Sequence, residues 1–104
     1  MAQFEVYANP IAAARPAYPL VIVLQSDITA GGHDTIVAPI APRLKFGPVT
    51  GRLVPLLTVG AVDYAVIVPA LTSVRSRDLE VPVHSAARLR ADLLAALDYL
   101  FFGI

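Results

Sequence analysis

The chain has 104 residues, and its eight basic side chains balance its eight acidic ones. With an isoelectric point near 6.7 there is no electrostatic reason to expect nucleic-acid binding, and the length provides for one domain, residues 1–104, with one core. The absence of cysteine excludes disulfides, thiolate chemistry and zinc–cysteine sites, while the apolar fraction of 57% and mean hydropathy of +0.68 suggest a second buried surface, most simply a homodimer interface.

From the N-terminus, Gln3 to Tyr7 alternates, with Phe4 and Val6 on one side and Glu5 and Tyr7 on the other, as a half-buried strand does. Asn9 to Pro19, with its prolines and alanines, predicts a long loop. Leu20 to Leu24 is a continuous apolar run rich in branched residues, suited to a central strand. Thr29 to Asp34 carries Gly31-Gly32 and predicts a turn. Thr35 to Ile40 predicts a short strand ended by Pro39 and Pro42, followed to Thr50 by a basic, turn-rich stretch with Arg43, Lys45, Gly47 and Pro48. Val54 to Val59 and Tyr64 to Val68 predict a hairpin across Gly60-Ala61-Val62-Asp63. Ser73 to Val83 reads as charged and extended, with Val81-Pro82-Val83 as an edge segment.

The period changes at Ser85, which has the chemistry of an N-cap. Residues 86–102 are rich in Ala, Leu and Arg and predict one amphipathic C-terminal α-helix. At 100° per residue, Leu89, Leu93, Ala96, Leu97 and Leu100 share one face, and Ile104 would join them if the helix ran that far. Arg88, Ala91, Asp92, Ala95, Tyr99 and Phe102 share the opposite face. Phe101 is expected to pack at the core edge, whereas Phe102 is expected to stand off the core and face a partner. The predicted fold is therefore mainly β with α+β character: an SH3-like, partly open antiparallel barrel carrying one helix.

The most apolar window, Leu53 to Leu71, contains Asp63, Pro55, Gly60 and Pro69 and barely reaches the roughly 20 residues of a membrane span, so it suits two strands better. The N-terminus lacks a basic n-region and a continuous apolar h-region, and a cytoplasmic protein is expected. Catalytic chemistry is sparse. His33 and His84 are the only imidazoles, and two histidines without cysteine argue against a metal site. Ser26-Asp27 offers a hydroxyl beside a carboxylate but no paired base, and Asp27 is better suited to capping a turn. No phosphate-binding glycine pattern occurs, and Arg43, Lys45, Arg52, Arg75 and Arg77 read as dispersed surface charges. The sequence predicts a binding protein, with no enzymatic activity and no cofactor.

Five segments in order, Gln3-Phe4-Glu5-Val6-Tyr7, Val23-Leu24-Gln25-Ser26-Asp27-Ile28, Leu53-Val54-Pro55-Leu56 with Val59-Gly60, Thr72-Ser73-Val74, and Phe101-Phe102-Gly103-Ile104, resemble the CcdB family. These are plasmid-type toxins of toxin–antitoxin pairs that poison DNA gyrase. The similarity covers nearly the whole chain except the Asn9–Pro19 loop and the Gly-Gly turn. It implies a homodimer whose C-terminal helices enter the gyrase A-subunit dimer, where tryptophans near the tip hold a gyrase arginine by cation–π contact and the cleavage complex is trapped. It also implies neutralisation by a small CcdA-like antitoxin with a disordered tail, and contact with DNA only through gyrase or the antitoxin complex.

By position, Phe102, Gly103 and Ile104 become the gyrase-contacting triplet, flanked by Tyr99, Asp98, Ala91 and Arg90. Phe102 stands where the family typically has tryptophan, and phenyl is the weaker cation–π partner. Arg90, Ala91 and Asp98 replace other polar residues, and Arg90 reads as a charge reversal on a contact surface. Two other functions compete: a relative that keeps the fold and antitoxin but not the gyrase contact, and a MazF-like endoribonuclease, which would need a basic groove that a neutral chain with scattered arginines does not suggest.

Overall fold

A computed structural model describes residues 2–46 and 51–104. Strands β1 (Glu5–Ala8), β2 (Leu20–Val23) and β3 (Asp34–Pro42) form an antiparallel meander, with Val6 opposite Ile22 and Leu20 opposite Ile40. Strands β4 (Leu56–Val59) and β5 (Val62–Val66) form the expected hairpin, with Val59 opposite Val62, so its turn contracts to Gly60-Ala61. Gly60 has φ of +62°, the left-handed conformation that two-residue hairpin turns require. Strand β6 (Thr72–Arg75) pairs with the first half of β3 and β5 with its second half. Strand β7 (His84–Ser85) adds to the free edge of β1. Among the described residues the order is β4-β5-β3-β2-β1-β7 with β6 beside β3, a mostly antiparallel sheet curled into a nearly closed barrel.

The central strand divides its side chains between two apolar clusters by the period of 2. Ile22 and Leu24 join Phe4, Val6, Ala38, Ile40, Leu57, Val66 and Val68 in the larger cluster. Val21 and Val23 join Val37, Val74 and Leu79 in the smaller one. That two-sided burial is why Leu20 to Leu24 reads as unbroken apolar sequence. Tyr7, expected on a polar side, is buried in the smaller cluster instead.

Of the two prolines expected to end β3, Pro39 lies within it. Pro39 is opposite Val21, and its carbonyl accepts the amide hydrogen of Ile67 at 2.9 Å where the chain leaves β5 for β6. A residue's N–H and C=O leave a strand on the same edge, so the donor Pro39 lacks belongs to the break between two partner strands. Pro42 ends the strand opposite Tyr64. A one-turn helix α1 (Arg43–Phe46) follows, while the Gly47 and Pro48 of the expected turn-rich stretch lie outside the described residues. The edge strand also falls later than predicted: Val81 and Val83 are exposed, and His84–Ser85 forms the ladder with β1.

The loop after β1 is ordered by one buried side chain. Asn9 Nδ2 donates to the Tyr18 carbonyl at 2.8 Å, and its Oδ1 accepts from Ile11 N at 2.9 Å. Arg15 Nε donates to the Asn9 carbonyl at 2.6 Å. Ile11, Ala14 and Tyr18 thereby come to line, with Val21, Val37 and Val74, a cavity of about 200 Å³ over the smaller cluster. Phe4 has φ of +67°, a conformation that costs a non-glycine residue roughly 1–2 kcal/mol. It is held there because its ring is 2% exposed, its N–H reaches Val23 O at 2.7 Å, and its carbonyl accepts from Ala86 N at 2.9 Å.

Candidate functional site at the helix tip

The C-terminal helix α2 runs from Arg90 to Phe102. It starts later than residues 86–102 predict, because Ser85 belongs to β7 and residues 87–89 form a 3₁₀ turn. Ser85 Oγ accepts from Ala87 N at 3.4 Å, a long contact at the start of the 3₁₀ turn, and it caps neither that turn nor α2. The docking stripe is as the periodicity predicts: Leu93 and Ala96 are fully buried, and Leu89, Leu97 and Leu100 pack against the larger cluster, joined by Leu94.

Gly103 stops the helix. With φ of +73° it forms a left-handed cap and donates its N–H to Tyr99 O at 3.0 Å. The backbone therefore turns away before Ile104 can join the docking stripe. The result is an apolar tip in which Phe101 is 62%, Phe102 74% and Ile104 77% exposed. Phe102 stands off the core as the projection requires. Phe101 does not pack at the core edge: Leu100 is the last helix side chain that packs on the cluster.

The other predicted positions divide. Ala91, Asp98 and Tyr99 lie exposed on α2. Arg90 is committed to another element: its guanidinium donates to Gln3 Oε1 at 3.1 Å, and Gln3 Nε2 donates to Leu24 O at 2.9 Å. Asp27 Oδ1 accepts the amide hydrogen of Gln3, so it ties the turn after β2 to the N-terminal segment rather than capping that turn.

The tip has an electrostatic sign. The C-terminus of a helix carries roughly half a negative charge, and the last turn of α2 contains no basic residue. Asp98 adds a carboxylate, and the exposed rings of Tyr99 and Phe102 lie three residues apart on the helix surface. Such a surface suits a cation with apolar flanks. Arg52, one of the dispersed surface charges of the sequence, places its guanidinium carbon 4.1 Å from the centre of the Tyr99 ring. Contact between residues so far apart in sequence has no local signal.

The remaining chemical candidates stay apart from the tip. His33 Nδ1 is 3.4 Å and Arg75 Nε 3.7 Å from Asp34 Oδ1, with all three side chains about half exposed or more. His84 sits in β7 opposite Val6. Arg15, Arg52, Arg75 and Arg90 each have a partner within the chain. Among the described residues no helix is long and apolar enough to cross a membrane.

No curated protein matches the chain. The family model described as CcdB protein matches residues 3–103, nearly the whole length. With that match over a barrel and C-terminal helix of the expected kind, the chain belongs to the CcdB family.

Proposed function

We propose that this protein is the toxin of a type II toxin–antitoxin pair, and that it inhibits DNA gyrase by inserting the tip of α2 into the A subunit. Family membership suggests a toxin. The observation that carries the finer reading is the tip itself, where Phe102 and Ile104 are about three-quarters exposed beside an electronegative helix end. Phe102, Gly103 and Ile104 make the contact, and Tyr99, Asp98 and Ala91 form its flank. Arg90 acts at the base of the helix, where it holds Gln3. An arginine of gyrase is the natural occupant, because its planar cation stacks on aromatic faces and pairs with a carboxylate.

In this reading the protein is an inhibitor and not an enzyme, works in the cytoplasm as a homodimer, and is restrained by a CcdA-like antitoxin. The exposed Val81, Val83, Leu44 and Val62 offer apolar surface for such partners. The test is a supercoiling and cleavage assay with the gyrase of the source organism. Wild type should inhibit supercoiling and leave linear DNA, and Phe102→Ala should lose both. Loss of a hot-spot aromatic costs about 2 kcal/mol or more, roughly thirtyfold in affinity. An unaffected gyrase at micromolar toxin would refute the target.

A further inference from the structure

We propose that Arg52 is a built-in competitor for the cation seat at the helix tip, and so sets how tightly the tip takes a partner's arginine. This inference rests on the gyrase-binding reading above and adds a residue that regulates that site. The geometry is direct: the Arg52 guanidinium lies 4.1 Å from the Tyr99 ring centre. Arg52, Gly51 and Pro55 come from the segment before β4, and with Asp92 and Ala95 of α2 they line a cavity of about 250 Å³. The same segment therefore closes over the outer face of the helix one turn or more before Phe102.

Tyr99 and Phe102 are exposed and three residues apart, so they are neighbours on the surface of α2. The Tyr99 ring already carries a guanidinium from within the chain. An incoming guanidinium meets Phe102 alone unless Arg52 moves, and it approaches a resident positive charge as it does so. The ring that remains free is phenyl, the weaker cation–π partner. Arg52 itself is exposed and has no ion pair among the described residues, so it leaves the ring at the cost of one surface contact. Removing it should make Tyr99 a second seat.

The experiment is a double-mutant cycle of Arg52→Gln and Tyr99→Leu with two readouts. The first follows Tyr99 ring resonances by NMR while N-acetyl-arginine amide is added. Arg52→Gln should shift them at about two- to fivefold lower concentration than wild type, the equivalent of one exposed cation–π contact. The second is affinity for the gyrase A-subunit fragment. Arg52→Gln should bind about two- to fivefold tighter, and in the Tyr99→Leu background the same change should do nothing. Equal or weaker gyrase binding by Arg52→Gln would overturn the inference while leaving the gyrase reading intact. So would a gain that persists without the Tyr99 ring, since that is charge repulsion alone. If no variant binds gyrase but the arginine titration still depends on Arg52, the gyrase reading fails while Arg52 stands as occupant of the seat. If the titration shows no such dependence, Arg52 is not a competitor.

Discussion

Shortening Leu93 to alanine should loosen the attachment of α2 to the barrel more than any other single change on the helix. Leu93 is 0% exposed, and it packs among Phe4, Ile22, Ile40 and Val66 in the larger cluster. The truncation removes about three methylene equivalents, worth roughly 2.4 kcal/mol at about 0.8 kcal/mol each. The space left between a helix and a closed sheet relaxes only partly, so the total should reach about 3–4 kcal/mol. For a domain near 100 residues, 3 kcal/mol lowers Tm by roughly 12–24 °C. Urea unfolding followed by circular dichroism would measure it, at several protein concentrations because a dimer's stability depends on them. Leu97→Ala, at a half-buried position, should lose less, and Ala95→Ser on the exposed face should stay within about 0.5 kcal/mol. A Leu93→Ala loss no larger than that of Ala95→Ser would refute the assignment of Leu93 as the anchor of the helix.

The tip should behave in the opposite way. Phe102→Ala should leave stability within about 0.5 kcal/mol of wild type while abolishing gyrase inhibition, since an exposed ring contributes little to folding; Phe102→Trp should strengthen inhibition through a better cation–π face. Asn9→Ala strands the Tyr18 carbonyl and the Ile11 N–H, and should cost about 1–3 kcal/mol with the loss visible in hydrogen exchange across residues 9–19. Tyr7 gives a pH dependence. Burial, then the Glu5 charge and the 3.2 Å hydrogen bond from Tyr7 Oη to Glu5 Oε1, raise its phenol above its ordinary value. The folded state therefore favours the neutral ring, and the stability this supplies is complete below about pH 10 and is lost as pH rises through the raised value. Urea titrations at pH 8 and 11 should show a fall for wild type that Tyr7→Phe lessens; equal falls would remove Tyr7 from the alkaline response.

Much of the tip was legible in the sequence because it depends on local periodicity. The 3.6-residue repeat from Leu89 to Leu100 selects the docking face, and the same angle carries Phe102 away from it. Gly103 marks the stop, since a left-handed cap favours glycine. The central strand and the hairpin at Gly60 are local in the same sense.

Other features depend on which segments meet, and no short-range pattern encodes that. Pro39 is tolerated inside β3 because its missing donor falls between β5 and β6. Tyr7 is buried because the far side of the sheet is covered by Leu79 and its neighbours. Phe101 is exposed because no cluster residue reaches past Leu100 to cover it, which the helix period alone does not reveal. Arg52 reaches Tyr99, and Arg90 reaches Gln3, across long stretches of chain. The sequence by itself determined the family, the strands, the helix and its exposed end, through composition and periods of 2 and 3.6. The tertiary structure decided which of the tip's aromatic faces is free to meet a partner, because only folding brings the segment before β4 against the helix and lays a cation on one of them.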